Sequence, residues 1–252
     1  MNRILEVCLV AAALATSIPS SAGGMKPATG ATAQALQRGI SVQMPVTSRA
    51  VPMPEADNRD AWIITVTADG DIDFGIDPVS PAALADEMKA RPRNREQKLY
   101  IKADARAPYA DVEKVLQAGH TALFDAPVLL TSQPGRIESG PIESGSTESR
   151  SSEAGTMASP KGLEVLLVPP AGSQPTEVHI GNSGQHTPTL SINSRQIPWA
   201  NLQNMLTQFF QSHPEKVILV KADGQLPFAD IVHVIDVCHS VGAKIVLAVP
   251  GV

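Results

Sequence analysis

One pattern of residues occurs twice in this chain. Residues 102–112 run Lys-Ala-Asp, three further residues, and then Pro-Tyr-Ala-Asp-Val. Residues 221–231 repeat this as Lys-Ala-Asp, three residues, and Pro-Phe-Ala-Asp-Ile, and the correspondence continues without a gap to His120 and His239. A repeat with so long a period indicates two whole domains rather than a solenoid of short units. We therefore expect a tandem of two copies of one small domain.

The composition along the chain predicts where the two copies begin and end. Glutamates recur every five residues among Ser and Gly between Ser132 and Pro160, a stretch too poor in apolar residues to fold. The predicted parts are an N-terminal membrane anchor or signal peptide (1–22), a spacer (23–38), the first copy (39–131), a flexible linker (132–160) and the second copy (161–252).

Each copy has the residue patterns of a small α/β fold. Apolar residues alternate from Ala61 to Thr67, which is typical of a strand, and the Asp69-Gly70 turn continues it as a hairpin. Ser80 before a proline predicts a helix start, and the stripes that follow Pro198 and Pro227 predict amphipathic helices. The order is β-β-β-α-β-α-β with a peripheral first strand. We expect an α/β sandwich in each copy, one small mixed sheet with two helices on one face.

The ordered set of these segments resembles the periplasmic domain of the ExbD/TolR family. The corresponding segments are an entry strand (Ile40–Pro45), a hairpin (Trp62–Phe74), a strand ending in Ala-Asp (Ile101–Asp104) and a helix that opens with an aromatic residue (Tyr109–Val115). The second copy matches from Pro198 onward and is looser before it. The resemblance implies a non-enzymatic accessory subunit of an inner-membrane motor that the proton-motive force drives.

The resemblance also implies partners. They are an ExbB/TolQ-like membrane channel subunit and, beyond the membrane, a TonB/TolA-like protein or the cell wall. The family's periplasmic domains pair as homodimers, so a tandem chain can form either a homodimer or an intramolecular pseudo-dimer of its two copies. The alternative is two copies that do not touch.

The first 22 residues allow two readings. A basic residue, an apolar run of about a dozen residues (Val7–Ile18) and a small-residue end are typical of a cleaved secretory signal. A spanning helix normally needs about 20 apolar residues. The resemblance favours an uncleaved inner-membrane anchor with periplasmic domains, and it places Glu6 where the family carries its proton-transferring carboxylate. The alternative is a soluble periplasmic binding or scaffolding protein that has lost the anchor.

The remaining residues predict no catalytic site. The net charge of −5 provides no basic surface for nucleic acid. No nucleophile motif, phosphate loop or metal-spaced Cys/His set occurs, so we expect no enzyme activity, cofactor or metal. The sites that remain are the repeated polar positions, for which two interpretations stand. In the first, Asp104, Tyr109, Asp223 and Phe228 form a partner-contact surface; in the second, the two aspartates serve the adjacent helix N-termini by capping and charge.

Overall fold

The computed structural model describes residues 40–94, 96–133, 159–184, 187–212 and 215–250. Both copies belong to one compact unit of the chain, Leu36–Val252. The elements of the first copy are β1 (Val51–Pro52), a 3-10 helix (Pro54–Asp57), β2 (Trp62–Val66), β3 (Ile72–Phe74), β4 (Asp77–Pro78), α1 (Pro81–Ala90), β5 (Leu99–Ala103), α2 (Tyr109–Thr121) and β6 (Val128–Thr131).

The second copy repeats this series of strands and α-helices, but its 3-10 helix lies directly before its first α-helix. Its elements are β7 (Lys161–Glu164), β8 (Thr176–Gly181), β9 (Thr189–Ile192), β10 (Arg195–Ile197), a 3-10 helix (Trp199–Asn201), α3 (Leu202–Ser212), β11 (Val217–Ala222), α4 (Phe228–Ser240) and β12 (Lys244–Leu247).

The two sheets have the same internal topology. The first has the order β1-β7-β6-β5-β2-β3-β4 and the second β10-β9-β8-β11-β12. In the first, β5 lies parallel between β2 and β6, and β3 runs antiparallel to β2. In the second, β11 lies parallel between β8 and β12, and β9 runs antiparallel to β8. The predicted fold class, two α/β units that each contain a mixed sheet and two helices, is confirmed.

The core lies between each sheet and its two helices. In the first copy Leu84 and Val112 from the helices are fully buried in one cluster with Ile64 and Ile101 from the strands. The opposite face of the first sheet has a separate, smaller cluster that includes Tyr100. The helices therefore cover the face of this sheet that presents Ile64 and Ile101 to their apolar stripes.

Local sequence signals produced several of these boundaries. The Ser80 hydroxyl accepts a hydrogen bond from the Ala83 backbone N–H at 3.3 Å, so α1 begins with the predicted serine cap. Gly70 adopts a φ of +88° in the turn between β2 and β3. The predicted order lacks β4 and β10; Asn193 and Ser194, both at positive φ, form the turn that leads into β10.

One expected strand is wrong. Residues 40–45 form no strand, and Val46 makes a single bridge to Ser132. The polar groups of this segment bond elsewhere: the Lys102 ammonium donates to the Ile40 carbonyl, and the Gln43 N–H donates to the Asp104 carboxylate. Because these groups find partners at the end of β5, the segment needs no strand ladder.

The first strand of the second copy pairs across the repeat. β7 runs antiparallel to β6 of the first copy, with Leu129 opposite Leu163. Two residues beyond β7, Leu166 donates its N–H to Ile245 and accepts from Leu247, both at 2.8 Å. One segment thus covers the edge of β6 and then reaches β12. It satisfies backbone groups that two sheet edges would otherwise leave unpaired.

Candidate functional site: the contact between the two copies

The repeated motif has the same place in both copies. Its Lys-Ala-Asp part ends β5 and β11, and its Pro-aromatic part begins α2 and α4. Pro108 and Pro227 are the residues before the two helices, and they face each other in an antiparallel bridge. The two motifs therefore meet at one point, although 119 positions separate them in the sequence.

Four backbone hydrogen bonds join the motifs reciprocally. Tyr109 donates its N–H to the carbonyl of Leu226, and Phe228 donates to the carbonyl of Ala107, both at 2.9 Å. The following residues repeat this pattern. Ala110 donates to Gly224 and Ala229 donates to Ala105, again at 2.9 Å. Each bond in one direction has its equivalent in the other, which is the pattern of a two-fold interface.

These hydrogen bonds satisfy backbone N–H groups at the starts of the two helices. The first N–H groups of an α-helix have no partner within the helix. Proline precedes α2 and α4, and in neither case does a side chain cap the helix. The carbonyls of the other copy accept these hydrogen bonds instead. Each copy thus completes the N-terminus of a helix in the other copy.

The aromatic residues of the motif are fully buried. Tyr109 and Phe228 each have 0% exposure. The Tyr109 hydroxyl has no hydrogen-bond partner in the described part of the chain, and burial raises the pKa of this phenol. Phe228 occupies the equivalent position without a hydroxyl. Both side chains therefore contribute apolar packing rather than a polar contact surface.

Asp104 joins the first motif to the distant segment around Gln43. Its carboxylate accepts from the Gln43 N–H at 3.0 Å, from the Arg106 N–H at 3.0 Å and from the Arg106 Nε at 2.9 Å. The side chain is 4% exposed. The hydrogen bonds from the Arg106 guanidinium, with those from the two backbone N–H groups, lower the pKa of this carboxyl to about 2. The carboxylate does not cap α2, so the capping part of the local interpretation is wrong.

Asp223, the equivalent residue of the second copy, has different partners. It accepts from the Asn182 N–H at 2.7 Å, and its Oδ1 lies 3.5 Å from His179 Nε2. Its side chain is 47% exposed. No hydrogen bond or ion pair among the described residues joins Asp223 to Asp104. Of the four predicted contact residues, Tyr109 and Phe228 each donate a backbone hydrogen bond to the other copy. The two aspartates each bind a loop of their own copy.

A further contact was not predicted. The Asp236 carboxylate on α4 accepts from the backbone N–H groups of Ser48 and Arg49 in the first copy, at 2.9 and 2.8 Å. The Gln117 side chain on α2 donates to the Pro250 carbonyl of the second copy at 2.9 Å. An isolated helical Asp or Gln has no sequence signal that identifies a partner so far away. The backbone contact between Gly224 and Ala110 likewise had no sequence signal.

The paired histidines and the cysteine are structural. His120 Nδ1 lies 3.2 Å from an Asp125 carboxylate oxygen. The His239 ring donates a hydrogen bond to the backbone of Glu164, and its Nε2 is buried without a partner among the described residues. Burial lowers the pKa of His239. Cys238 is fully buried, and burial raises the pKa of its thiol to about 12. Among the described residues, no three His, Cys, Asp or Glu side chains form a group that could hold a metal ion.

Glu6 and the predicted anchor lie outside the described residues. Within the described ranges, no helix combines the length and the apolar character needed to cross a bilayer.

Comparison with known families identifies both copies. The family model "Biopolymer transport protein ExbD/TolR" matches residues 30–133 and again residues 148–250. No curated protein matches the sequence. Members of this family are non-enzymatic accessory subunits of energy-transducing transport complexes. They are anchored in the inner membrane with a periplasmic domain and work with ExbB/TolQ partners. With two matches that together cover most of its length, and with the same sheet topology in both copies, the chain belongs to the ExbD/TolR family.

Proposed function

We propose that this chain is the ExbD/TolR-type subunit of an inner-membrane transport complex that the proton-motive force drives. It works with an ExbB/TolQ-like channel subunit, and its two periplasmic copies engage a TonB/TolA-like protein or the cell wall. The family match across both copies supports the class of complex. The chain itself catalyses no covalent chemistry in this proposal.

The two copies act as an intramolecular pseudo-dimer. The observation that carries this proposal is the reciprocal set of bonds in which Tyr109 and Phe228 donate to Leu226 and Ala107. A linker of under 30 residues, 132–160, keeps the second copy at roughly millimolar effective concentration. One chain then supplies both halves of a pair that a single-copy subunit forms from two chains.

Residues 39–131 and 161–252 are the two domains of this pseudo-dimer, with residues 132–160 as the linker. Residues 1–22 anchor the chain in the inner membrane, and Glu6 carries protons between the membrane and the channel subunit. An ionisable side chain at membrane depth is costly unless it has such a role. The resemblance of residues 4–10 to the start of the family's membrane helix supports this assignment.

The complex can be tested by co-purification. Full-length chain with a C-terminal affinity tag, solubilised in mild detergent, should retain an ExbB/TolQ-type subunit expressed with it. Glu6→Gln should leave this assembly intact and abolish proton-dependent function, while Glu6→Asp, which keeps the carboxylate, should preserve it. Failure to retain the channel subunit would contradict the proposed complex.

The second candidate is a soluble periplasmic binding or scaffolding protein, which the short apolar run of residues 7–18 favours. The N-terminal residue of the mature protein distinguishes the two. A mature chain that starts near Gly23 supports the soluble protein, and an intact Met1 or Asn2 in the membrane fraction supports the anchored subunit.

The pseudo-dimer has its own test in solution. Small-angle scattering of residues 39–252 should give a compact particle of monomer mass. An extended particle, or a dimer that joins like copies of two chains, would contradict the intramolecular pair.

A further inference from the structure

One segment of the second copy, residues 161–167, contacts both sheets, and a histidine binds its middle. The first part of this segment is β7, which lies beside β6 of the first sheet. Leu166 then exchanges two backbone hydrogen bonds with β12 of the second sheet. His239 lies in the last turn of α4, and its ring donates a hydrogen bond to the backbone carbonyl of Glu164. The histidine therefore binds the segment where it passes from one sheet to the other.

The second ring nitrogen of His239 has no partner. Its Nε2 is buried, and no atom in the described part of the chain forms a hydrogen bond with it. The nitrogen that donates to Glu164 is therefore Nδ1, and the neutral ring carries its proton there. A charged ring would carry a second N–H at Nε2. Such a buried, charged donor is costly, because it loses its bound water and gains no acceptor in return.

The carboxylates near His239 are bound by other groups. Asp236, one turn earlier on α4, accepts from two backbone N–H groups of the first copy. The Glu164 carboxylate accepts from the Lys98 ammonium at 2.6 Å. Burial lowers the pKa of His239, whereas the hydrogen bond to the Glu164 backbone and the charges of Asp236 and Glu164 act in the opposite direction. Burial is the largest of these effects, so the fold favours the neutral ring.

The first copy has a carboxylate beside the equivalent histidine. His120 occupies the matching position of α2, and its Nδ1 lies 3.2 Å from a carboxylate oxygen of Asp125. A proton on that ring therefore has a negative charge next to it. A proton on His239 Nε2 has no acceptor within hydrogen-bond distance among the residues that the structure describes. The two matched histidines thus differ in what acid does to their surroundings.

We propose that His239 is a pH-sensitive switch: protonation of its ring at mildly acidic pH releases residues 161–167 and uncovers the edges of β6 and β12, while the contact between the copies at Tyr109 and Phe228 remains. His239 is a positioning residue that acts through Glu164. The inference goes beyond the proposed complex, because it concerns the folded pair of copies and holds with or without a membrane anchor.

Proton linkage gives the sign of this response. In the released state the ring is in water and titrates near the ordinary imidazole pKa of about 6.5. In the closed state the lowered pKa of His239 means that the ring takes up its proton only at lower pH. The closed state is therefore fully favoured above about pH 7. Its equilibrium with the released state then falls about tenfold for each pH unit below about 6.5, until the closed state is protonated as well.

Hydrogen exchange followed by mass spectrometry measures the release in the full-length chain in detergent. The decisive peptide covers residues 161–168, in which the amides of Leu166 and Leu167 are hydrogen-bonded to distant carbonyls. Labelling times are adjusted for the slower chemical exchange at lower pH. Between about pH 7.5 and about pH 5.5 the protection of this peptide should fall about tenfold. Peptides that cover residues 105–112 and 224–231, at the contact of the two motifs, should keep their protection.

Two variants at position 239 separate the proton from the packing. His239→Asn keeps an amide donor near the place of Nδ1, and its side chain has no proton to gain in this pH range. His239→Phe keeps a ring but loses the hydrogen bond, so it lowers protection at both pH values. In both variants the difference between the two pH values should disappear. His120→Asn, the matched change in the first copy, should retain the full difference.

Three results would overturn the proposal. The first is equal protection of residues 161–168 at the two pH values in the wild-type chain. The second is a pH-dependent difference that persists in both His239 variants. The third is an equal fall of protection in every peptide, because this would show general acid unfolding instead of the release of one segment.

Discussion

Gly224 of the second copy lies so close to Ala110 of the first that a Cβ atom added to Gly224 would stand 2.9 Å from the Cβ of Ala110. The same two residues share a hydrogen bond, from the Ala110 N–H to the Gly224 carbonyl at 2.9 Å. The absence of a side chain at position 224 therefore allows the backbones of the two copies to meet.

We expect Gly224→Ala to destabilise the paired copies. The added methyl group must displace the α2 backbone or break the hydrogen bond, and overpacking of this kind costs about 1–3 kcal/mol. The double variant Gly224→Ala with Ala110→Gly removes the clashing methyl group and should recover part of this loss. Urea unfolding of residues 39–252 measures both, and strictly additive effects would contradict direct contact between the two positions.

The motif aromatics allow a reciprocal exchange. Tyr109→Phe removes a buried hydroxyl that has no described partner, so stability should stay the same or rise. Phe228→Tyr introduces such a hydroxyl at an equally buried position and should cost about 1–3 kcal/mol. Thermal unfolding measures each change. A marked loss of stability in Tyr109→Phe would mean that the hydroxyl has a partner.

The second residue after α2 adopts an unusual backbone conformation. Leu123 has a φ of +66° and is 74% exposed, whereas Gly242 has a φ of +73° at the same place after α4. A left-handed conformation costs a non-glycine residue about 1–2 kcal/mol. We expect Leu123→Gly to raise the free energy of unfolding by about 1 kcal/mol and Gly242→Ala to lower it by a similar amount. The midpoints of chemical unfolding curves provide the comparison. A loss of stability in Leu123→Gly together with a gain in Gly242→Ala would contradict this account.

Asp104 makes the fold sensitive to acid. Its folded pKa of about 2 lies below the value of an ordinary aspartate, so the carboxylate stabilises the folded state at neutral pH. This contribution is complete above about pH 4 to 5 and is lost as the pH falls toward 2. Asp104→Asn should lower stability at pH 7 and reduce the difference between pH 7 and pH 2. Equal pH profiles for the variant and the wild-type chain would show that Asp104 has no such role.

Much of each copy could be predicted from its sequence. The serine before Pro81 predicted the start of α1, and Ser80 caps it. The stripes after Pro198 and Pro227 predicted buried helix faces, and Leu206 and Val234 are fully buried. These signals succeed because a cap and a stripe depend on residues within one or two helical turns.

The expected entry strand did not form, because its backbone groups bind side chains that are distant in the sequence. Residues 40–45 have the apolar composition of a strand, but Asp104 and Lys102 bind their backbone groups. Side chains about 60 residues away decided the outcome. The local hydrophobic pattern cannot indicate a hydrogen-bond partner that lies so far away in the sequence.

Two copies of one α/β fold can be predicted from the amino-acid sequence, because repetition and hydrophobic periodicity are properties of the linear chain. The way in which the two copies meet depends on the folded structure. It placed β7 beside β6 and paired the start of α2 with the start of α4. Each of these depends on which donors, acceptors and charges lie close together in space, and that proximity arises only when both copies have folded against each other.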